Sequence, residues 1–233
     1  MNTAITLPNR NAVRYATFAD DEIAVTDGLN ARLFMYDNCG VLIDTVRTLR
    51  AYTLFGSDPV AGGFIARNKD CGNRVFYLNC LFAEIGSAVL GDPSADGPLY
   101  DASLYDGNVY GTHENKVVMY TRSGQPIDVV VAPRSCVSTR HFVNYGPGYM
   151  LHTVRNGQNY IENSENGSTS GIAVPDGLSL KSFMVSGSNV YGAFSGDYVY
   201  TYIVPLRQNG VFPASDLSPD GILDSALANC CNL

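Results

Sequence analysis

Apolar and polar residues alternate along most of the chain in short runs, such as "VRYATFADD", "EIAVTDG" and "ARLFMYDN". An alternation with a period of two is the pattern of β-strands that bury one face. Asp, Asn, Gly and Ser separate the runs, and these residues favour the tight turns that join antiparallel strands. No sustained helical period of apolar residues occurs before about the last fifteen residues. The pattern therefore predicts an almost entirely β fold.

The strand pattern also repeats. The motif "NVYG" occurs twice, and each copy is followed by a polar turn and an aromatic run. Arg32, Arg74 and Lys116 are spaced by forty-two residues, and the same step leads to Gln158. Each unit contains about four short β-like runs, which gives five units between about residues 13 and 212. A lone four-stranded sheet cannot bury both of its faces, whereas five sheets that pack around an axis can.

This repeated unit resembles the β-propeller superfamily, most clearly from Gly107 to Val204 and well from Val13 to Leu49. The resemblance implies an all-β, five-bladed β-propeller of four-stranded antiparallel blades. It implies no particular family, because the repeat lacks the Trp-Asp ending of WD40 blades and the chain contains no Trp. A β-sandwich or jelly roll is the alternative, although neither has a reason to repeat at forty-two residues.

The repeat also sets approximate domain boundaries. The propeller is expected over residues 1–212, with blades at about 13–49, 50–95, 96–133, 134–177 and 178–212, and a tail over 213–233. The last unit meets Pro205 and Pro213, which weaken an outer strand. Thr3 to Leu7 is therefore predicted to pair into the fifth blade and close the ring. The segment "GVFPA" could fill that position instead.

Charge and cysteine content narrow the classes of partner. The net charge is −7, and Lys and Arg occur singly, so the chain lacks the basic stripe that nucleic acid requires. The longest apolar runs are strand-sized, and the N-terminus lacks a secretory pattern, so no membrane partner is expected. We expect synthesis in the cytoplasm, with incorporation into a virion left open. The 6 cysteines form no CxxC pairs, and no cofactor is predicted.

One rim of the predicted propeller is the expected binding surface. In propellers the turns between the second and third strands share a rim with the blade-to-blade crossings, where ligands usually bind. Here these turns are polar but differ between blades, which disfavours five equal sites. The candidate ligand or partner residues are Asp27, Asn30, Asp70, Asn73, His113, Glu114, Asn115, Arg155, Asn156 and Asp197.

A lectin and a glycan hydrolase are the competing interpretations. Tyrosines recur in the third strands, where packing between blades explains them, so only a single sugar site stays open; they are Tyr36, Tyr77, Tyr120, Tyr160 and Tyr200. A hydrolase needs paired carboxylates near the axis. Aspartates fall at the ends of the innermost strands, but in tight turns where Asp caps the backbone; they are Asp20, Asp21, Asp58 and Asp106. No catalytic residue is predicted.

Metal binding is not predicted either. His113 begins "HENK", which lacks the second His of a metalloprotease motif, while His141 and His152 lie on neighbouring strands. An acidic loop could offer carboxylates to Ca²⁺, but its spacing departs from the EF-hand pattern; its residues are Asp92, Asp96 and Asp101.

The segment after Pro213 has a different pattern, and "SPDGILDSALANCC" could form a short helix. Such a helix is unstable alone and must dock on the ring or on a neighbouring subunit. The candidate docking residues are Ile222, Leu223, Leu227, Cys230 and Cys231.

Together these features predict a non-catalytic recognition or structural module within a larger assembly. Its partners would be other protein subunits, with a glycan as a further candidate. The weakly charged composition, rich in Gly, Asn, Ser and Tyr, looks like that of viral particle and tail-appendage proteins. A carbohydrate-binding lectin is the first alternative function, and a glycan hydrolase is the second.

Overall fold

A computed structural model describes residues 3–6, 15–19, 22–26, 30–68, 71–172, 177–186, 189–196 and 200–207. These residues contain twenty β-strands and one helical turn, α1 (Pro93–Asp96). The strands are β1 (Thr3–Thr6), β2 (Tyr15–Ala19), β3 (Glu22–Thr26), β4 (Arg32–Tyr36), β5 (Leu42–Arg47), β6 (Thr53–Ser57), β7 (Phe64–Arg67), β8 (Arg74–Leu78), β9 (Glu84–Val89), β10 (Asp101–Tyr105), β11 (Asn108–Thr112), β12 (Val117–Tyr120), β13 (Pro126–Val131), β14 (Ser138–Asn144), β15 (Tyr149–Arg155), β16 (Gln158–Asn163), β17 (Thr169–Ile172), β18 (Leu178–Ser186), β19 (Asn189–Gly196) and β20 (Tyr200–Arg207).

The strands form five four-stranded antiparallel sheets, which are the blades of a propeller. Blade 1 is β2 to β5, blade 2 is β6 to β9, blade 3 is β10 to β13, and blade 4 is β14 to β17. Blade 5 has the order β18, β19, β20 and β1. The innermost strands of successive blades contact one another, and β18 of blade 5 contacts β2 of blade 1, which closes the ring. The predicted five-bladed β-propeller is confirmed.

The ring is closed by the start of the chain. Strand β1 pairs antiparallel with β20, from Thr3 opposite Ile203 to Thr6 opposite Tyr200. The first described strand therefore lies at the outer edge of the last blade. The segment "GVFPA" and the tail over 213–233 lie outside the described residues.

The repeat in the sequence is also the repeat of the blades. Strands β4, β8 and β16 begin at Arg32, Arg74 and Gln158, and Lys116 directly precedes β12. The turns between the third and fourth strands repeat at the same interval, and each begins with a residue whose side-chain oxygen accepts a backbone N–H within the turn. These residues are Asp37, Asn79, Thr121 and Asn163. A local turn preference thus sets where each outer strand starts.

The core lies between the blades, where their apolar faces meet. Tyr36, Tyr77 and Tyr120 are buried there, as packing between blades predicts. Tyr160 differs, because its ring is only half-buried in blade 4. The side chain of Tyr200 lies outside the described part of the chain.

Candidate interaction surfaces

The turn between β11 and β12 is held in place by its neighbours on the predicted rim. The backbone N–H of His113 donates to the carbonyl of Lys116 at 2.9 Å, and the Lys116 Nζ donates to Asp96 Oδ1 at 2.6 Å. The backbone N–H of Thr139 in blade 4 donates to the carbonyl of Glu114 at 2.8 Å. The turn of blade 3 is therefore fixed against both the preceding loop and the next blade.

Three of the predicted rim residues line one cavity between blades 3 and 4. Glu114 and Asn115 come from the blade 3 turn, and Asn156 comes from the equivalent turn of blade 4. The crossing between the blades, residues 134–138, forms another part of the wall. The cavity has a volume of about 510 Å³. Sequence reasoning placed the crossings on this rim but selected none of their side chains.

Arg155 belongs to an ionic cluster beside this cavity. Its guanidinium and that of Arg134 both donate to Glu162, with 2.8 Å between Arg134 Nη1 and Glu162 Oε2. The hydroxyl of Thr153 also donates to this carboxylate. Burial opposes ionisation of Glu162, but the hydrogen bonds from the two guanidiniums outweigh it and lower the pKa of the carboxyl. Two positive charges therefore share one negative charge here.

Two predicted rim residues are buried and used inside the protein. The Asn73 side chain donates to the carbonyl of Gly97 and accepts from the N–H of Leu99, which fixes the long loop of blade 2. His113 Nε2 lies 2.9 Å from the Tyr120 hydroxyl, and burial lowers the pKa of its imidazole. The prediction is revised for these two side chains, because neither is accessible to a partner.

The remaining predicted residues form no shared site in the described chain. Asn30 is exposed two residues before the third strand of blade 1. The other rim candidates lie outside the described residues; they are Asp27, Asp70 and Asp197. The same holds for all the candidate residues of the tail, which are Ile222, Leu223, Leu227, Cys230 and Cys231.

Asp58, a candidate carboxylate for hydrolysis, is occupied by backbone groups. One carboxylate oxygen accepts the N–H groups of Val60, Ala61 and Asp106, and the other accepts that of Gly107. This side chain therefore joins the innermost turns of blades 2 and 3. A cavity of about 360 Å³ opens beside it on this opposite rim. The carboxylate has little remaining capacity for a substrate, which matches its interpretation as a backbone cap.

The other candidate carboxylates are not gathered around one point. Asp106 is exposed in a tight turn with a φ of 48°. Asp20 and Asp21 lie outside the described residues. Asp92 caps α1 by accepting the N–H of Ser94 at 2.8 Å, while Asp96 pairs with Lys116. Within the described residues, no group of three His, Cys, Asp or Glu side chains could hold a metal ion.

A hydrogen-bonded contact links the innermost strands of blades 3, 4 and 5. His141 Nδ1 lies 3.0 Å from Asp101 Oδ2, and its Nε2 lies 3.0 Å from the carbonyl oxygen of Leu180. A carbonyl oxygen can only accept, so Nε2 carries a hydrogen and donates. Burial raises the pKa of Asp101, while the contact with His141 opposes that rise. Both ring nitrogens of His141 are thus engaged within the protein.

His152 packs against His141 in blade 4. The two rings are parallel, with centroids 5.4 Å apart. His152 Nε2 lies 2.9 Å from Asn159 Oδ1. Burial, with a smaller contribution from the neighbouring His141, lowers the pKa of His152 to about 3. His152 is therefore neutral in the folded protein over the ordinary pH range.

The outer strands of blades 1 to 3 expose aliphatic side chains, a feature that sequence reasoning missed. Ile43, Ile85 and Ile127 are 52%, 60% and 50% exposed. They are spaced by forty-two residues, so they occupy the same position in three successive blades. We call these three side chains and their exposed aliphatic neighbours the outer apolar surface; the neighbours are Val41, Leu42, Leu81, Val89 and Val129. In the described part of the chain, no helix is long and apolar enough to cross a membrane.

Each of these isoleucines is the extra residue of a β-bulge. In blade 1, Tyr36 pairs with Leu42 and Met35 pairs with Asp44, so Ile43 has no counterpart on β4. Ile85 and Ile127 occupy the same place on β9 and β13. A bulge interrupts the regular edge and discourages the addition of another strand. The outer apolar surface is therefore suited to contact through side chains.

Comparison with known proteins supports the fold and no particular activity. No protein-family model and no curated protein sequence matches the chain. It is similar in structure to a streptogramin B lyase, with a TM-score of 0.51 and 10% identity, covering 91% of this chain and 89% of that one. It is also similar to virginiamycin B lyase from Staphylococcus aureus, with a TM-score of 0.52 and 8% identity, covering 89% and 99%. It is also similar to a glutaminyl cyclase from Myxococcus xanthus, with a TM-score of 0.51 and 7% identity, covering 87% of this chain and 96% of that one. Identities this low show a β-propeller fold alone.

Proposed function

We propose that this propeller is a non-catalytic assembly module that binds the C-terminal segment of a second copy on its outer apolar surface. The observation that carries the proposal is the exposed isoleucine at one position in three successive blades. Exposed aliphatic groups that recur at the same position on successive blades favour burial against a partner. Blade 4 lacks the feature, because its outer strand exposes Thr169 and buries Ile172.

The chemistry of the C-terminal segment fits this surface. Residues 208–233 contain three aspartates and no Lys or Arg, and they include the apolar residues Ile222, Leu223 and Leu227. On blade 1, Arg32 and Arg47 lie opposite each other where β4 begins and β5 ends, and both are exposed. Like charges placed opposite each other repel, and an acidic segment relieves that repulsion. At the Arg32 and Arg47 end of blade 1, charge complementarity therefore favours the same occupant as the apolar side chains do.

The non-catalytic part of the proposal is supported by the hydrogen bonds that the candidate acid–base side chains already make within the protein. The Asp58 carboxylate accepts four backbone N–H groups, and both ring nitrogens of His141 have partners. A general acid or base must be within hydrogen-bond reach of its substrate, and these groups are already engaged. Hydrolysis of a polysaccharide that is lost in Asp106→Asn would overturn this part. Membership of a virion remains a prediction from composition.

Sedimentation velocity of the purified chain tests the assembly. In the variant with Ile43→Ser, Ile85→Ser and Ile127→Ser, each half-exposed side chain loses about 1 kcal/mol of burial at the interface. The sum of about 3 kcal/mol corresponds to an increase in the dissociation constant of about a hundredfold. Val60→Ser is the matched control, because Val60 is 58% exposed but lies in a turn outside this surface. Equal association of the triple variant and the control would rule out the surface as the interface.

A further inference from the structure

Beside the cavity between blades 3 and 4, two arginines keep donors that the described protein leaves unpaired. Arg134 lines this cavity and uses Nη1 for Glu162. Its Nε and Nη2 are shielded from solvent and have no hydrogen-bond partner among the described residues, and the same holds for Nε of Arg155. Buried donors of a charged group are rarely left unsatisfied, because their desolvation is unfavourable. An acceptor that reaches these donors would therefore bind favourably.

The local charge indicates that the acceptor is an anion. Glu162 is shared between Arg134 and Arg155, so the cluster carries one net positive charge. The whole chain, in contrast, has a net charge of −7. Arginine presents a planar set of donors that matches the two oxygens of a carboxylate. The exposed Glu114 on another wall of the cavity repels every anion, and it repels a polyvalent anion such as phosphate more strongly than a single carboxylate.

The other groups around the cavity suit the hydroxyl groups of a sugar. Asn115, Asn156, Ser135 and Ser138 offer neutral donors and acceptors. A second hollow of about 390 Å³ shares Gly157 with the cavity and is lined by Tyr160. The Tyr160 ring is half-buried and lies 5.2 Å from the Arg155 guanidinium carbon. An aromatic ring next to a polar cavity can pack against the apolar face of a pyranose.

We propose that this cavity binds an acidic sugar, with the carboxylate on Arg134 and the hydroxyl groups on the asparagine and serine side chains. The same hydrogen-bond donors recognise the carboxylate of a free acidic sugar and the carboxylate of an acidic sugar unit in a polymer. The site is independent of the outer apolar surface, since it lies on the rim of blades 3 and 4.

Calorimetric titration of the full chain tests this site with four probes: glucuronate, a glucuronate-containing oligosaccharide, glucose and inorganic phosphate. We expect both uronate probes to bind more tightly than glucose and phosphate. A preference for the oligosaccharide would identify a polymer as the natural source, while equal affinity per sugar would identify the free sugar. Binding of phosphate or glucose as tight as that of glucuronate would overturn the proposal, as would no uronate binding at millimolar concentration.

Two variants and a matched control test whether glucuronate binds in this cavity. Arg134→Gln removes the guanidinium but leaves the Arg155 pair with Glu162, and we expect affinity for glucuronate to fall about ten- to hundredfold. Arg50→Gln is the control, because Arg50 occupies the equivalent repeat position, eighty-four residues earlier, and pairs with Glu84 at 3.0 Å. Asn156→Gly keeps a residue that tolerates the φ of 50° while removing the amide. Unchanged affinity in both site variants, or an equal loss in Arg50→Gln, would refute the assignment.

Discussion

Acidification should destabilise this protein through the buried His152. The folded state keeps His152 neutral, because its pKa is lowered from 6.5 to about 3 by burial. The unfolded chain protonates the same side chain below pH 6.5. Between these two pH values the unfolded state binds one more proton than the folded state, so stability falls as the pH falls.

The size of this effect follows from the width of the pH window. Stability changes by about 1.4 kcal/mol per pH unit for one proton. Across the window from 6.5 to about 3, the loss is on the order of 5 kcal/mol. That is a large part of the stability of a typical domain, which is about 5 to 15 kcal/mol.

Urea unfolding of the wild type and of His152→Gln at pH 4, 5, 6 and 7 measures the loss of stability that His152 causes on acidification. Glutamine can donate to Asn159 Oδ1 as the imidazole does but does not titrate. The difference in free energy of unfolding between the two proteins cancels all groups that they share. We expect the wild type to lose about 2 to 3 kcal/mol more than the variant between pH 6 and pH 4. Identical slopes with pH would refute the assignment of a neutral, buried His152.

Three further predictions concern the packing of the ring. Asp58→Ala leaves four backbone N–H groups without their acceptor and should destabilise the fold by on the order of 3 kcal/mol, measured by urea unfolding; an unchanged midpoint would contradict its role as a cap. Phe82 has a φ of 58° but stacks on Phe64 at 4.5 Å, so Phe82→Gly relieves about 1 kcal/mol of strain and loses about 3 kcal/mol of packing. Its melting temperature should therefore fall, and a rise would show that strain dominates. Removal of residues 1–8 takes away β1 and exposes the edge of β20, so thermal unfolding should begin at a markedly lower temperature, whereas an unaltered curve would mean that the ring is stable without it.

The sequence predicted the architecture because the blade repeat depends on local features. Turn residues such as Asp37 and Asn79 bond to backbone groups within four residues, so their spacing is visible without a structure. Burial of Tyr36, Tyr77 and Tyr120 followed from their place in each unit. The interpretation of Asp58 as a cap also followed, since Asp beside Pro in a turn accepts nearby N–H groups.

Features that depend on contacts between residues far apart in the sequence were not predictable. Asp101 and His141 are 40 residues apart, and only the docking of blade 4 on blade 3 joins them. Arg134, in the crossing between blades 3 and 4, gains its role from Glu162, 28 residues away on β16. Ile43, Ile85 and Ile127 show their spacing in the sequence, but an alternating strand does not reveal which face meets solvent at a bulge. His113 and Asn73 resembled surface turn residues, yet the loops that cover them come from elsewhere in the chain.

The molar mass of the full chain in solution, compared with that of a chain lacking Pro213 to Leu233, tests the assembly proposal most directly. Light scattering over a range of concentrations should give a mass for the full chain that rises above 25.1 kDa, while the truncated chain stays monomeric. A full chain that remains at 25.1 kDa at every concentration, or a truncated chain that associates as strongly, would contradict the docking of one copy's tail on another.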